Sequence, residues 1–233
     1  MIIVKYLLFA GVVALALGDM HSMLLKQDGG VWSSGVNANG QLGIGSTVTS
    51  YRFAKAIPSG AKAMAAGTSH SIVLKQDGSV WTTGQNIYGQ LGDGSMISRN
   101  TFVEVMSGAA AVAAGGHHSM VLTQDGGVWA TGWNKFGQLG DASTPDDMNN
   151  FKTRFVQVVS SGAKAVAVGD AHSIVLKEDG SVWAAGRNNH GQLGDGSRDD
   201  RKTFVRVMSD GAEAVAAGSY HSMVLKQDGS VWA

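Results

Sequence analysis

Short apolar stretches separated by turn residues cover most of the chain, and one segment of about 50 residues shows this pattern clearly. Its apolar runs are Ala165 to Val168, Ser173 to Lys177, Ser181 to Ala185 and Phe204 to Met208. The last run alternates apolar and polar residues, as a half-buried strand does, while the inner runs are continuously apolar, as in a strand covered on both faces. The pattern predicts four short β-strands of one sheet.

Asp179-Gly180 separates the second and third runs. Asp-Gly between two apolar runs is a strong hairpin signal, and it predicts a type I′ turn with positive φ at both residues. The same dipeptide recurs at Asp28-Gly29, Asp77-Gly78, Asp125-Gly126 and Asp228-Gly229.

Three markers recur with one shared spacing, so the chain is built from repeats. His-Ser pairs begin at His21, His70, His118, His172 and His221, which gives spacings of 49, 48, 54 and 49 residues. The same period separates Trp32, Trp81, Trp129, Trp183 and Trp232, and the Gln-Leu-Gly triplets at Gln41, Gln90, Gln138 and Gln192. Four strands in about 50 residues are typical of a propeller blade. The predicted fold class is all-β: a β-propeller of four full units and a partial fifth, starting near residues 12, 61, 109, 163 and 212 of a domain over 12–233.

The repeated motif resembles the regulator of chromosome condensation repeat family. The residues that carry this resemblance are Gly169 to Ser173, Asp179-Gly180, Trp183, and the Gly-x-Asn-x-x-Gly-Gln-Leu-Gly segment from Gly186 to Gly194. The resemblance extends from about Val12 to the end of the chain and implies a propeller, usually of seven blades. Since this sequence holds four full units and part of a fifth, the resemblance implies a fragment of a seven-bladed ring.

The N-terminal segment, residues 1–11, allows two interpretations. Lys5 precedes an apolar run, and Ala14-Leu15-Ala16 resembles a cleavage site, so residues 1–16 have the layout of a secretory signal peptide. Alternatively, Val12 to Leu17 is the innermost strand of the first blade, and Ile2 to Leu8 is an edge strand that adds to the last blade and closes a small ring. We expect a cytoplasmic or nuclear protein from the second interpretation and a secreted one from the first.

Composition narrows the function classes. Lys and Arg number 18 and Asp and Glu also number 18, so the net charge is zero and direct binding to nucleic acid is not expected. The absence of cysteine excludes disulfides, thiolate catalysis and cysteine-based zinc sites. The N-terminal apolar run is too short for a membrane span.

The His-Ser pairs and the Gly-x-Asn-x-x-Gly segments are best explained as residues that stabilise the fold. A propeller places one His-Ser pair in each blade, too far apart to share a ligand, so each histidine is predicted to be a hydrogen-bonding brace between strands. The Gly-x-Asn-x-x-Gly segments lead into a strand and not into a helix, which argues against a phosphate-binding loop. We therefore expect no enzymatic activity and no catalytic, cofactor-binding or metal-binding residues.

Positions that differ between units are the candidates for partner contact, because the repeated positions hold the fold. They lie before each His-Ser pair and in the Gly-x-Asn-x-x-Gly loops. Aromatic residues and arginine dominate interface energetics, and the variable positions carry a candidate rim of such residues: Tyr88, Trp133, Phe136, Arg187, His190 and Tyr220. These side chains either bind a partner or fill the gaps between blades.

The predicted function is a non-enzymatic scaffold for protein–protein interaction with a partner of unknown identity, and an open ring would also allow self-association. Two alternatives follow from the resemblance: part of a guanine-nucleotide exchange factor for a small GTPase, or the substrate-recruiting arm of a ubiquitin ligase. An exchange factor would need a projecting wedge, but the insertion around Thr144 to Asn150 is five or six residues long. A ligase would need a catalytic domain beyond residue 233. A third alternative is a secreted binding or inhibitor propeller of bacterial type.

Overall fold

The computed structural model describes residues 11–143 and 150–233, and these consist of strands, turns and loops without a helix. No membrane-spanning helix is therefore found among them. The proposed closing strand Ile2 to Leu8 and most of the insertion, residues 144–149, lie outside the described residues.

The described strands form five antiparallel sheets, named here blades 1 to 5, in which neighbouring strands follow chain order. Blades 1 to 4 have four strands each and blade 5 has three, which confirms the predicted all-β propeller repeats. The strands are β1 (Val12–Leu17), β2 (His21–Lys26), β3 (Val31–Gly35) and β4 (Ser50–Ile57) in blade 1; β5 (Ala61–Ala66), β6 (His70–Lys75), β7 (Val80–Gly84) and β8 (Arg99–Met106) in blade 2; β9 (Ala109–Ala114), β10 (His118–Thr123), β11 (Val128–Trp133) and β12 (Phe151–Val159) in blade 3; β13 (Ala163–Val168), β14 (His172–Lys177), β15 (Val182–Gly186) and β16 (Arg201–Met208) in blade 4; and β17 (Ala212–Ala217), β18 (Ser222–Lys226) and β19 (Val231–Trp232) in blade 5.

The N-terminal strand was open to two interpretations from sequence. The structure places Val12–Leu17 as β1, paired antiparallel with β2, so these residues form the innermost strand of blade 1.

The Asp-Gly hairpins form where predicted, but the predicted turn type was wrong. The amide of Gly29 donates to the carbonyl of Lys26 (2.9 Å), and the amide of Lys26 donates to the carbonyl of Gly30 (2.9 Å). Gly29 has φ +74°, whereas Ala142 is the only non-glycine residue with positive φ in the described part of the chain. The loop is thus a three-residue hairpin, a turn followed by one left-handed glycine. Asp28 fits because its carboxylate accepts the Gly30 amide at 2.8 Å, a local bond typical of Asp in turns.

The hydrophobic core lies between the blades. Four clusters of buried residues fill the junctions, one for each pair of neighbouring blades. Between blades 2 and 3, for example, Ile72 and Leu74 of β6 pack with Ala109 of β9 and Val121 of β10. Each blade is therefore stabilised by its neighbours, as expected for repeats that cannot bury both faces alone.

The outward faces of the first and last blades are exposed among the described residues. Leu15 of β1 is 50% exposed, and Trp232 of β19 is 57% exposed. Trp183 of blade 4 occupies the position that Trp232 occupies in blade 5, and it is half-buried against the core of the junction between blades 3 and 4. The described stack is therefore covered at its four internal junctions and uncovered at both ends.

Candidate functional site

Successive blades are connected by a series of hydrogen bonds that runs from a histidine to a serine and on to a backbone carbonyl. His118 Nε2 lies 2.9 Å from Ser173 Oγ in the next blade, and Ser173 Oγ donates to the carbonyl of Gln138 at 2.7 Å. The same series recurs at the other junctions, as His21–Ser71–Gln41, His70–Ser119–Gln90 and His172–Ser222–Gln192. The prediction that the repeated histidines are hydrogen-bonding braces is confirmed for His21, His70, His118 and His172, and each of them connects one blade to the next.

This series of hydrogen bonds determines which ring nitrogen carries the proton in each neutral histidine. The serine gives its single proton to the carbonyl, so histidine Nε2 must carry the proton donated to the serine, and Nδ1 is unprotonated. Nδ1 of all four histidines is buried without a partner. Burial lowers the pKa of His70 and His118 to about 3 and that of His21 and His172 to about 4. The braces are therefore built from neutral imidazoles.

Glycines let the innermost strands approach closely around the propeller axis. A Cβ on Gly115 would lie 2.4 Å from the carbonyl oxygen of Gly169 and 2.5 Å from Cε1 of His118. Gly18, Gly67 and Gly169 face the glycine carbonyl of the next blade in the same way. The innermost strands line a central cavity of about 250 Å³ that is open to solvent and is named the channel here.

One side of the stack carries all the candidate rim residues. Because neighbouring strands run in opposite directions, the loop between the first and second strands and the loop between the third and fourth strands lie at the same end of every blade. This side is named the loop face. Its longer loops are held by buried side chains: in blade 2, Asn86 Oδ1 accepts the Leu91 amide (3.0 Å) and Gln90 Oε1 accepts the Tyr88 amide (3.0 Å). The same contacts recur in blades 1, 3 and 4, so a uniform scaffold presents side chains that differ between units.

The structure brings four of the six predicted residues together in one row across blades 2, 3 and 4. Tyr88 stacks on Trp133 with ring centroids 5.6 Å apart, and Phe136 meets the same indole edge-on at 5.4 Å. The Arg187 guanidinium lies 4.9 Å from the Phe136 centroid. His117 joins the row, 5.4 Å from Tyr88 and 5.9 Å from Trp133. These five residues are named the aromatic row.

The remaining two predicted residues form a separate pair. His190 of blade 4 meets Tyr220 of blade 5 edge-on, with ring centroids 5.7 Å apart. Tyr220 is 51% exposed, while Tyr88, Trp133, Phe136 and Arg187 are half-buried. The row and the pair both cross blade junctions, so they contribute to packing between blades as well as to the surface.

His117 was not among the candidates from sequence. A signal for it existed, because it occupies the variable position immediately before His118, where the other units carry Met20, Ser69, Ala171 and Tyr220. Burial lowers the pKa of His117, although the carboxylates of Asp170 and Asp19 act in the opposite direction.

Two polar atoms beside Trp133 lack hydrogen-bond partners among the described residues: Nδ1 of His117 and Nε2 of Gln138. A comparison with blade 2 explains why the side-chain amide of Gln138 has no partner. In blade 2 the side-chain amide of Gln90 donates to Gln85 Oε1 at 3.3 Å. Gln138 is held in the same orientation, since its Oε1 accepts the Phe136 amide at 2.9 Å. Trp133 stands where blade 2 has Gln85, and its ring offers no acceptor oxygen.

The channel opens on the loop face beside the row. Its lining includes Asp19, Thr68, Asp170 and Ser219, which follow the axial glycines. Thr68 Oγ1 donates to Asp19 Oδ2 at 3.0 Å. No group of three or more side chains able to hold a metal ion occurs in residues 11–143 and 150–233.

Stacked four-stranded blades with this brace and this loop define a propeller-repeat protein. The family model for the RCC1-like domain matches residues 2–233, and the chain belongs to that family. A search of the curated proteins found no match.

Solved structures share the fold. Human WBSCR16 is similar with a TM-score of 0.78 and 24% identity over 92% of this chain, and this chain spans 57% of its length. Yeast RCC1 (Prp20), in a complex with Kap60, is similar with a TM-score of 0.58 and 19% identity, covering 94% of this chain and 69% of Prp20. The ectodomain of the Arabidopsis thaliana receptor kinase ACR4 is similar with a TM-score of 0.57 and 17% identity, covering 95% and 63%.

Proposed function

We propose that this protein is a non-enzymatic scaffold that binds a protein partner through its loop face, with the aromatic row at the centre of the interface. The observation that carries the proposal is the row itself: contacting aromatic side chains at positions that vary between units, mounted on loops that do not vary. Tyr, Trp and Arg are the residues most enriched among interface hot spots.

The unpartnered amide of Gln138 supports partner binding over simple gap filling. A buried polar group without a partner costs about 1–3 kcal/mol. A glutamine at position 133 would provide the acceptor that Gln85 provides in blade 2, so Trp133 leaves unmade a hydrogen bond that blade 2 makes at the same position. Local departures from the rules of folding are typical of functional sites.

The substitution Trp133→Gln, combined with Tyr88→Asn, tests the proposal. Both replacements copy residues of other units, Gln85 and Asn39, and so preserve the loop. A phage library displaying protein fragments from the same genome would be selected against the native protein, and the affinity of each selected fragment would be measured for both forms. We expect fragments that lose at least about tenfold in affinity, or 1.4 kcal/mol, for the double variant.

Two results would refute the proposal: fragments that bind both forms equally, or no fragment that binds the native loop face. The matched control is Lys164→Gln, on the exposed side of β13, which changes neither the row nor its loops.

The exchange-factor alternative supplies the first individual partners to test. One solved structure of yeast Prp20, 20% identical to this chain, is described by its binding properties to Gsp1p and histones. A small GTPase and a histone pair are therefore suitable probes for the loop face. Exchange activity would be measured as release of labelled nucleotide from the GTPase.

A further inference from the structure

Among the described residues, those that line the mouth of the channel include two carboxylates and no lysine, arginine or histidine. Asp19 and Asp170 line it, together with small residues and backbone. The ion pairs of the described residues join Asp93 to Arg99, Asp141 to Lys152, and Asp195 to Arg201. Neither carboxylate at the mouth is therefore in an ion pair within the described part of the chain.

His117 connects the mouth to the aromatic row. Its ring touches Tyr88 and Trp133, and it interacts electrostatically with both Asp170 and Asp19. Because burial holds this imidazole in its neutral form near pH 7, it does not balance the two negative charges. The negative mouth and the aromatic surface therefore form one continuous patch.

The opposite end of the row has the opposite charge. Arg187 lies over Phe136, and Lys135 Nζ lies 5.6 Å from the same ring centroid. The patch thus runs from the carboxylates at the channel mouth, across the rings of blades 2 and 3, to the cations Lys135 of blade 3 and Arg187 of blade 4. This polarity sets the direction in which a charged segment binds, because complementary potentials fix the register of an interface.

Building on the function proposed above, we propose that the loop face recognises a protein segment whose lysine or arginine side chain enters the channel mouth and reaches Asp19 and Asp170, while a neighbouring apolar residue covers Tyr88 and Trp133. The cavity of about 250 Å³ accommodates one such side chain, and the carboxylates supply the acceptors that a guanidinium or ammonium group needs.

The experiment uses the fragments selected on the native protein. Each selected sequence would be made as a labelled peptide, with each Lys or Arg replaced in turn by norleucine or citrulline, and affinity measured by fluorescence anisotropy. The protein variant is Asp19→Asn with Asp170→Asn. The matched control is Glu178→Gln with Asp210→Asn, which removes two exposed charges on the opposite side of the stack.

We expect one basic residue of the peptide to be essential, and its replacement and the mouth variant each to weaken binding by about tenfold or more. Combined, the two changes should weaken binding by much less than the product of the separate effects, because they remove the same interaction. The control variant should bind as the native protein does.

Peptides that lose affinity for the Trp133→Gln and Tyr88→Asn variant but bind the mouth variant normally would overturn this inference and leave the proposed function standing. Peptides indifferent to both variants, or the absence of any selected fragment, would remove the proposed function and this inference with it.

Discussion

The junctions between blades 1 and 2 and between blades 2 and 3 share an interior and differ at the rim. In the interior, His21 reaches Ser71 and His70 reaches Ser119, both at 2.9 Å. Both serines then donate to a glutamine carbonyl of the preceding blade. At this level the two junctions are copies of each other.

The rims are chemically different. The first junction carries Asn39, Ser69 and Gln85, and the second carries Tyr88, His117 and Trp133 at the corresponding positions. The polar rim satisfies its glutamine amide, whereas the aromatic rim leaves the amide of Gln138 buried and unpaired. In each repeat the interior holds the blades together, while the rim differs between units, and the rim is where we propose that recognition occurs.

Acid should have the largest effect, because it acts on the interior of every junction at once. The brace histidines have folded-state pKa values of about 3 to 4, below the ordinary 6.5, so the unfolded chain binds more protons. Stability is fully present above pH 6.5 and falls as pH drops towards 4, by up to about 1.4 kcal/mol per pH unit for each histidine. Urea unfolding at pH 7.5 and pH 5 should differ by several kcal/mol. Equal stability at the two values would contradict the neutral braces.

Gly115→Ala should destabilise the protein by about 3 kcal/mol or more, since the new Cβ would overlap the Gly169 carbonyl and the His118 ring. Gly108→Ala is the matched control: it has φ +76° but nothing within 4 Å of the added carbon, so we expect a loss of about 1 kcal/mol. Thermal unfolding of the two variants provides the measurement. A similar loss in both would show that the axis is less tightly packed than described.

Ser173→Ala should cost about 2 kcal/mol, because it leaves the Nε2 proton of His118 and the carbonyl of Gln138 without their shared partner. Ser69→Ala makes the same chemical change at the polar rim and should alter the free energy of unfolding by less than about 0.5 kcal/mol. If denaturant titration gave the two variants the same stability, interior and rim would not differ as the comparison requires.

The sequence predicted the interior of the junctions well because the residues that form it recur in every repeat. The strand pattern, the Asp-Gly hairpins and the bracing role of the histidines all follow from positions that recur at one period. The turn type could not be read from the dipeptide, since Asp-Gly fits a type I′ turn as well as the observed loop, in which Gly29 alone has positive φ.

The rim was predictable only as a set of candidates. Tyr88, Trp133, Phe136 and Arg187 stood out as variable positions, but their contacts depend on how far one blade is rotated against the next, which no local pattern encodes. His117 was overlooked for the same reason: it becomes part of the row only through Tyr88, on a different blade. The unpaired amide of Gln138 emerged only from the structural comparison with Gln90.

We propose that Trp133 serves recognition more than folding, although it also packs between blades, and the stability of Trp133→Gln tests this proposal most directly. The substitution loses three ring contacts worth about 0.5–1.5 kcal/mol each, and it regains a partner for the Gln138 amide worth about 1–3 kcal/mol. We therefore predict a free energy of unfolding within about 2 kcal/mol of that of the native protein. A loss of about 3–5 kcal/mol, as for a large aromatic residue removed from a core, would show that Trp133 is there to hold the blades together.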